Sequence, residues 1–199
     1  MRLLGTLLFC GLSAAPAFAA VDGVVLAGYL LDVSTGNYQR DQALLLDGER
    51  IVSIVPAAQA PKLPNTIDLS DAYVLPGLID MHVHLTSNPT KHGYRALAET
   101  PQREAIFGVK AAEVTLKAGF TTVRELGDSH LISTALRKAI NAGYAKGPRI
   151  FTAGKSIATT GGHADPTNGV RANLMGDPGP KEGVVNSVED AYKAVRQRY

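Results

Sequence analysis

His82 and His84, separated by a single residue, are the side chains in this sequence best suited to chemistry. They close the apolar run Leu78-Ile79-Asp80-Met81-His82-Val83-His84-Leu85. In an extended strand, residues i and i+2 point to one face, so both imidazoles can close on one divalent metal ion. Two histidines do not complete a catalytic zinc site, which usually takes three protein ligands and a water. Two solvent-facing histidines would give the same pattern. Asp80 shares the face and could orient a ligand, shape the pocket or cap the loop.

His163 is the second candidate. It sits in Thr159-Thr160-Gly161-Gly162-His163-Ala164-Asp165, where paired glycines let the backbone approach a ligand and an imidazole could hold a substrate carbonyl or carboxylate. A flexible surface loop is the other reading of that segment. Lys155 could be a carbamylated lysine bridging two metals, but a salt-bridged or solvent-facing role is expected. Arg124 and Asp128 flank the end of a strand and are expected to pair with each other. His92 and His130 have no ligand spacing with anything nearby and are expected at the surface or a helix start.

Strands and helices must carry these residues. Residues 24–31, 42–46, 51–55 and 66–69 read as short strands, with Asp47-Gly48-Glu49-Arg50 as a hairpin turn. Pro56, Pro61 and Pro64 separate this β-rich part from the rest of the chain. From Leu75 the rhythm changes to strand 78–85, a helix opened by Thr100-Pro101 and stopped by Gly119, and strand 120–126. A helix capped by Asp128 or Ser129 and ended by Gly143 then leads to strand 149–154. Ser187 and Asp190 form a capping-box pattern that opens a last helix.

The expected core-facing residues are Ile106, Val109, Ala112 and Leu116 on the first helix. On the second they are Leu131, Ala135, Leu136 and Ile140, and on the last Val188, Ala191, Val195 and Tyr199. Alternating strands and helices call for a parallel sheet covered by helices. An open α/β sheet complete at this length satisfies that rhythm. No Gly, Asn or Pro stop signal surrounds Tyr199, so the chain is expected to end inside its last helix.

Composition bounds the remaining choices. The chain has 199 residues, 45% of them hydrophobic and 19% charged, which is the composition of a globular protein. Arg2, the apolar stretch 3–12 and Ala17-Phe18-Ala19 match a secretory signal cleaved after Ala19, leaving about 180 residues. That is too few for a closed (β/α)8 barrel of about 250. The formal charge of +2 falls to +1 without Arg2, and no basic patch suggests a nucleic-acid partner. The one cysteine, Cys10, lies in the signal, where bulky Phe9 argues against lipid attachment, so the mature chain is expected to be free of disulfides. No later stretch has the roughly 20 apolar residues needed to span a membrane, and the product is expected to be soluble in the periplasm or secreted.

The run Val74-Leu75-Pro76-Gly77-Leu78-Ile79-Asp80-Met81-His82-Val83-His84-Leu85 resembles the metal-dependent amidohydrolase superfamily. The likeness continues in Gly119-Phe120-Thr121-Thr122-Val123-Arg124, in Gly147-Pro148-Arg149-Ile150 and in Gly161-Gly162-His163-Ala164-Asp165. The branch it is most similar to holds imidazolonepropionase-like proteins and exported Xaa-Pro or Xaa-Arg/Lys dipeptidases. In that branch the last motif commonly reads Gly-Gly-His-Gly-Asp, from which Ala164 departs by one methyl. The resemblance implies an α/β fold. The first three strand-helix units of a partial (β/α)8 TIM-like barrel, residues 75–199, would come after residues 20–74 of a small β-sandwich subdomain and the signal peptide 1–19.

It also implies a hydrolase of amide or peptide bonds acting on a small molecule or dipeptide through metal-activated hydroxide. Zn2+ would be the cofactor, two ions in a full-length protein, with His82 and His84 binding the more buried one. His163 would contact substrate. A carbamylated lysine, two further histidines and a catalytic aspartate would come from later strands, so activity is expected only of a full-length protein. A non-catalytic binding or remnant module, obligately associated or a homo-oligomer, is one alternative. A cyclic-amide hydrolase or deaminase of the same superfamily is the other.

Overall fold

The computed structural model describes residues 21–91 and 93–198. The expected secretory signal with Cys10, His92 and Tyr199 therefore lie outside the described residues. The chain divides between Pro76 and Gly77 into two compact units.

The first unit is a four-stranded sheet. β1 (Gly23–Asp32), β2 (Asn37–Asp47), β3 (Arg50–Pro56) and β4 (Thr66–Val74) lie in the order β3-β2-β1-β4. β2 is antiparallel to β1 and β3, whereas β4 runs parallel to β1. The turn between β2 and β3 holds Gly48 at φ +55°, a conformation open to glycine, and its N–H donates to Asp22 Oδ2. β2 begins five residues before the expected strand 42–46. Its exposed start, Asn37 to Arg40, pairs with β1, so backbone bonding rather than side-chain alternation recruits it. Leu44 and Leu45 belong to two different clusters, Leu44 with Ala27 and Leu30, and Leu45 with Val24 and Ala43, as alternation requires.

The second unit is the α/β part expected from the rhythm, the first portion of a (β/α)8-type barrel, not a closed one. β5 (Leu78–Val83), β6 (Phe120–Glu125) and β7 (Arg149–Thr152) are parallel in the order β5-β6-β7. α1 (Pro101–Lys117) connects the first pair and α2 (Ile132–Asn141) the second. After β7 come a long loop containing α3 (Ala172–Met175) and then α4 (Val188–Arg196). Leu85, Ala112, Val123, Leu136 and Ile150 form the core between sheet and helices, flanked by Val83, Phe120 and Ile140. Among the described residues no helix is long and apolar enough to cross a membrane.

Helix ends follow their sequence signals more closely than helix faces do. Thr100 caps α1 by accepting from the Arg103 N–H, and Ser187 caps α4 by accepting from the Asp190 N–H. The expected stripes need correction. Ile106 and Val109 are exposed, whereas Ala112 is buried as expected and is joined by Gly108. A Cβ at Gly108 would touch Thr86 and Leu136, so small residues set how closely α1 packs. α2 buries Ile132, Ser133 and Leu136, leaving Leu131 and Ala135 exposed, and α4 buries Ala194 while Val188 and Val195 face out. The N-cap of α2 is Leu131 at φ +57°, not Asp128 or Ser129, although Asp128 Oδ2 still accepts from the Ser133 N–H.

Candidate metal centre

Parallel β-strands in such a fold gather their chemistry at their carboxyl ends. His82 is the penultimate residue of β5 and His84 lies one residue past it, where the expected strand 78–85 has already stopped. Both are exposed, and their ring centroids are 5.3 Å apart at 74°. Both line one cleft of about 1330 Å3, together with Gly127 after β6, Lys155 after β7 and His163. The structure thus brings the three candidate histidines to one concavity.

His84 is held from behind. Its Nδ1 lies 3.1 Å from the Gly127 carbonyl oxygen and 3.2 Å from Glu125 Oε1. Glu125 ends β6 with its side chain fully buried, accepting from the Leu85 N–H at 2.5 Å and the Gly127 N–H at 3.2 Å. Burial pushes its carboxyl above the ordinary glutamate value, opposed by those two N–H groups and by His84. Glu125 is absent from the candidates drawn from sequence because it belongs to no spaced motif. A weaker signal was present, since it shares the core-facing side of β6 with Val123, and a carboxylate at a core position needs partners.

The other candidates take more local roles. Asp80 Oδ1 accepts from the His82 backbone N–H at 3.0 Å, so it shapes the strand end. Arg124 and Asp128 do not pair. Arg124 Nε donates to the Met81 carbonyl at 2.7 Å, while Asp128 Oδ2 accepts from the Ser133 N–H at the start of α2, so each is taken up by a backbone group. Lys155 is half-buried on the cleft wall and joins none of the ion pairs among the described residues, so the salt-bridged role does not hold. His130 is exposed at φ +61° just ahead of α2.

Hydrogen bonds tie down the exposed loop of His163. Asp165 is buried beneath it and accepts from the Gly161 N–H, the Thr167 N–H and the Thr167 hydroxyl at 2.7–2.8 Å. Bonds from the Thr167 and Gly161 backbone hold its carboxyl below the ordinary aspartate value. Asn168 Nδ2 donates to the Gly162 carbonyl, and Asn186 brackets Thr160 with two bonds. His163 itself stays exposed at the cleft.

The donor set fits a zinc ion in part. Two imidazoles share one cleft, and an Nδ1 facing two oxygen acceptors leaves the Nε2 lone pair of His84 for a cation. Among the described residues no group of three or more His, Cys, Asp or Glu is placed to hold a metal. Further ligands would have to come from elsewhere.

The profile of the Amidohydrolase family matches residues 73–199. Among curated proteins the chain is similar to ochratoxinase of Aspergillus niger, 26% identical over 189 residues that cover 87% of this chain and 38% of that protein. It is also similar to imidazolonepropionase of Streptomyces coelicolor, 27% identical over 135 residues, 64% of this chain and 34% of that protein. Among solved structures, a Xaa-Pro dipeptidase with methionine bound in its active site superposes with a TM-score of 0.80 at 44% identity, over 89% of this chain and 44% of that one. The chain spans less than half the length of each of these relatives.

Proposed function

The chain belongs to the amidohydrolase family, and from that premise we propose that it serves metal-dependent hydrolysis of amide or peptide bonds in small substrates, dipeptides among them. The observation that carries this reading is the pair His82 and His84 on one cleft at the carboxyl end of β5, with His163 on the same cleft. The similarity to a Xaa-Pro dipeptidase over 89% of the chain supports peptides as the substrate class.

His82 and His84 would hold zinc, two ions when the later ligands of a longer protein are present. Bound zinc supplies a water of lowered pKa and polarises a carbonyl. His84 is kept in place by Gly127 and Glu125. The loop fixed by Asp165 keeps His163 at the cleft, where its imidazole would contact the substrate carbonyl or carboxylate. A proton must still reach the leaving amine, and the general acid and base would lie on later strands. The leader-like residues 1–19 support export to the periplasm or beyond the cell.

The test is an assay of the protein in its longest natural reading frame on Xaa-Pro and Xaa-Arg dipeptides, N-acyl amino acids and cyclic amides, before and after chelation. Chelator-sensitive release of amino acids, restored by zinc and lost in His82→Ala, is the expected result. Turnover that survives complete chelation would overturn the metal reading. Metal-dependent turnover of cyclic amides alone would assign the cyclic-amide branch instead.

A further inference from the structure

We propose that Glu125 is a positioning residue for His84: with the Gly127 carbonyl, its buried carboxylate holds Nδ1 as the protonated nitrogen and leaves Nε2 as the metal-facing one. This rests on reading His84 as a ligand. The carbonyl oxygen of Gly127 can only accept a hydrogen bond. At 3.1 Å from Nδ1 it requires a hydrogen there, whatever the protonation of Glu125. A neutral imidazole carries one N–H, so Nε2 keeps its lone pair.

Glu125 adds a second acceptor at 3.2 Å. Its other bonds all go to the backbone around the same histidine: Oε2 accepts from the N–H of Leu85, next in sequence after His84, and Oε1 accepts from the N–H of Gly127. The carboxylate therefore registers the end of β5 against the end of β6 at the residue whose ring must be aimed. Carboxylates or carbonyls behind a metal-binding histidine fix its tautomer and raise its basicity, and losing one typically costs 10–100-fold in metal affinity.

Glutamine at position 125 cannot reproduce this. If its amide nitrogen replaces Oε2 it meets the Leu85 N–H, and if it replaces Oε1 it meets the Gly127 N–H and the His84 Nδ1–H. The experiment compares wild-type, Glu125→Gln, His84→Ala and the double variant as full chains. Long-range 1H–15N correlation on the metal-free protein reads the His84 tautomer, competition with a chromophoric chelator reads zinc affinity, and thermal melting reads the fold.

The expected result is an Nδ1–H tautomer in wild type and a fall of about 10–100-fold in zinc affinity in Glu125→Gln. In the His84→Ala background the glutamine should change affinity no further, which a merely structural role would not produce. An Nε2–H tautomer in wild type overturns the proposal, even if Glu125→Gln fails to fold. So does a folded Glu125→Gln protein with unchanged affinity. Equal zinc affinity in wild type and His84→Ala overturns the ligand reading on which the proposal rests, and the tautomer distinguishes that failure from the other.

Discussion

Gly127 offers a sharp test of how the cleft is built, because its carbonyl faces His84, its N–H serves Glu125, and its Cα is crowded by Ser156. A Cβ placed there would collide with Ser156 Oγ and stand 3.1 Å from Ser156 Cβ. Ser156 can rotate its hydroxyl away only by surrendering the 3.2 Å bond it donates to the Leu126 carbonyl. Losing that bond costs about 1 kcal/mol. Residual crowding between the two Cβ atoms adds a further part of the roughly 1–3 kcal/mol typical of overpacking. Gly127→Ala should therefore destabilise the chain by about 2 kcal/mol in urea unfolding. In a Ser156→Ala background the hydroxyl is gone and only the Cβ contact remains, so the same substitution should cost under about 1 kcal/mol. The coupling of about 1 kcal/mol between two touching residues is the quantity to measure. A neutral Gly127→Ala, or an equal cost in both backgrounds, would refute the crowding of Gly127 by Ser156.

Other expectations concern the loop, the core and a helix cap. Asp165 titrates below its unfolded value, so its contribution is present above about pH 3.9 and is lost as pH falls through the folded value. Asp165→Asn should lower the urea midpoint at pH 7, and its gap from wild type should narrow at pH 3; a gap that widens with acid would reverse the sign. Leu136→Ala empties a buried position of the second unit and should cost about 2–5 kcal/mol by urea unfolding. Thr100→Ala removes the cap of α1 and should cost about 1 kcal/mol in the same assay, with Thr100→Ser close to wild type.

Much of the second unit could be read from residue types, because its signals are local. Thr100-Pro101 and Ser187 open helices, Gly119 and Gly143 end them, and the His-x-His pair stands at a strand's carboxyl end. Helix faces were less legible. Beside the expected Ala112, α1 buries Gly108 and α4 buries Ala194, small residues that carry little hydrophobic signal, while larger Ile106, Val109 and Val195 remain exposed.

The candidate site divides along the same line. His82, His84 and His163 were visible as types at a spacing, but the hold on His84 depends on Glu125 and Gly127, 41 and 43 residues away in sequence. Only pairing of β5 with β6 brings them together. Arg124 and Asp128 misled for a related reason: they flank a strand end with opposite charge, but each is taken up by backbone, the Met81 carbonyl and the Ser133 N–H.

The most direct measurement is zinc affinity of the wild-type chain against His82→Ala, His84→Ala and His163→Ala, by chelator competition at one pH. Weakened zinc binding in the first two variants and unchanged binding in the third is the expected result, since His82 and His84 are proposed as ligands and His163 as a substrate contact. Equal affinity in wild type and the first two variants would contradict a metal centre on β5, as would loss confined to His163→Ala.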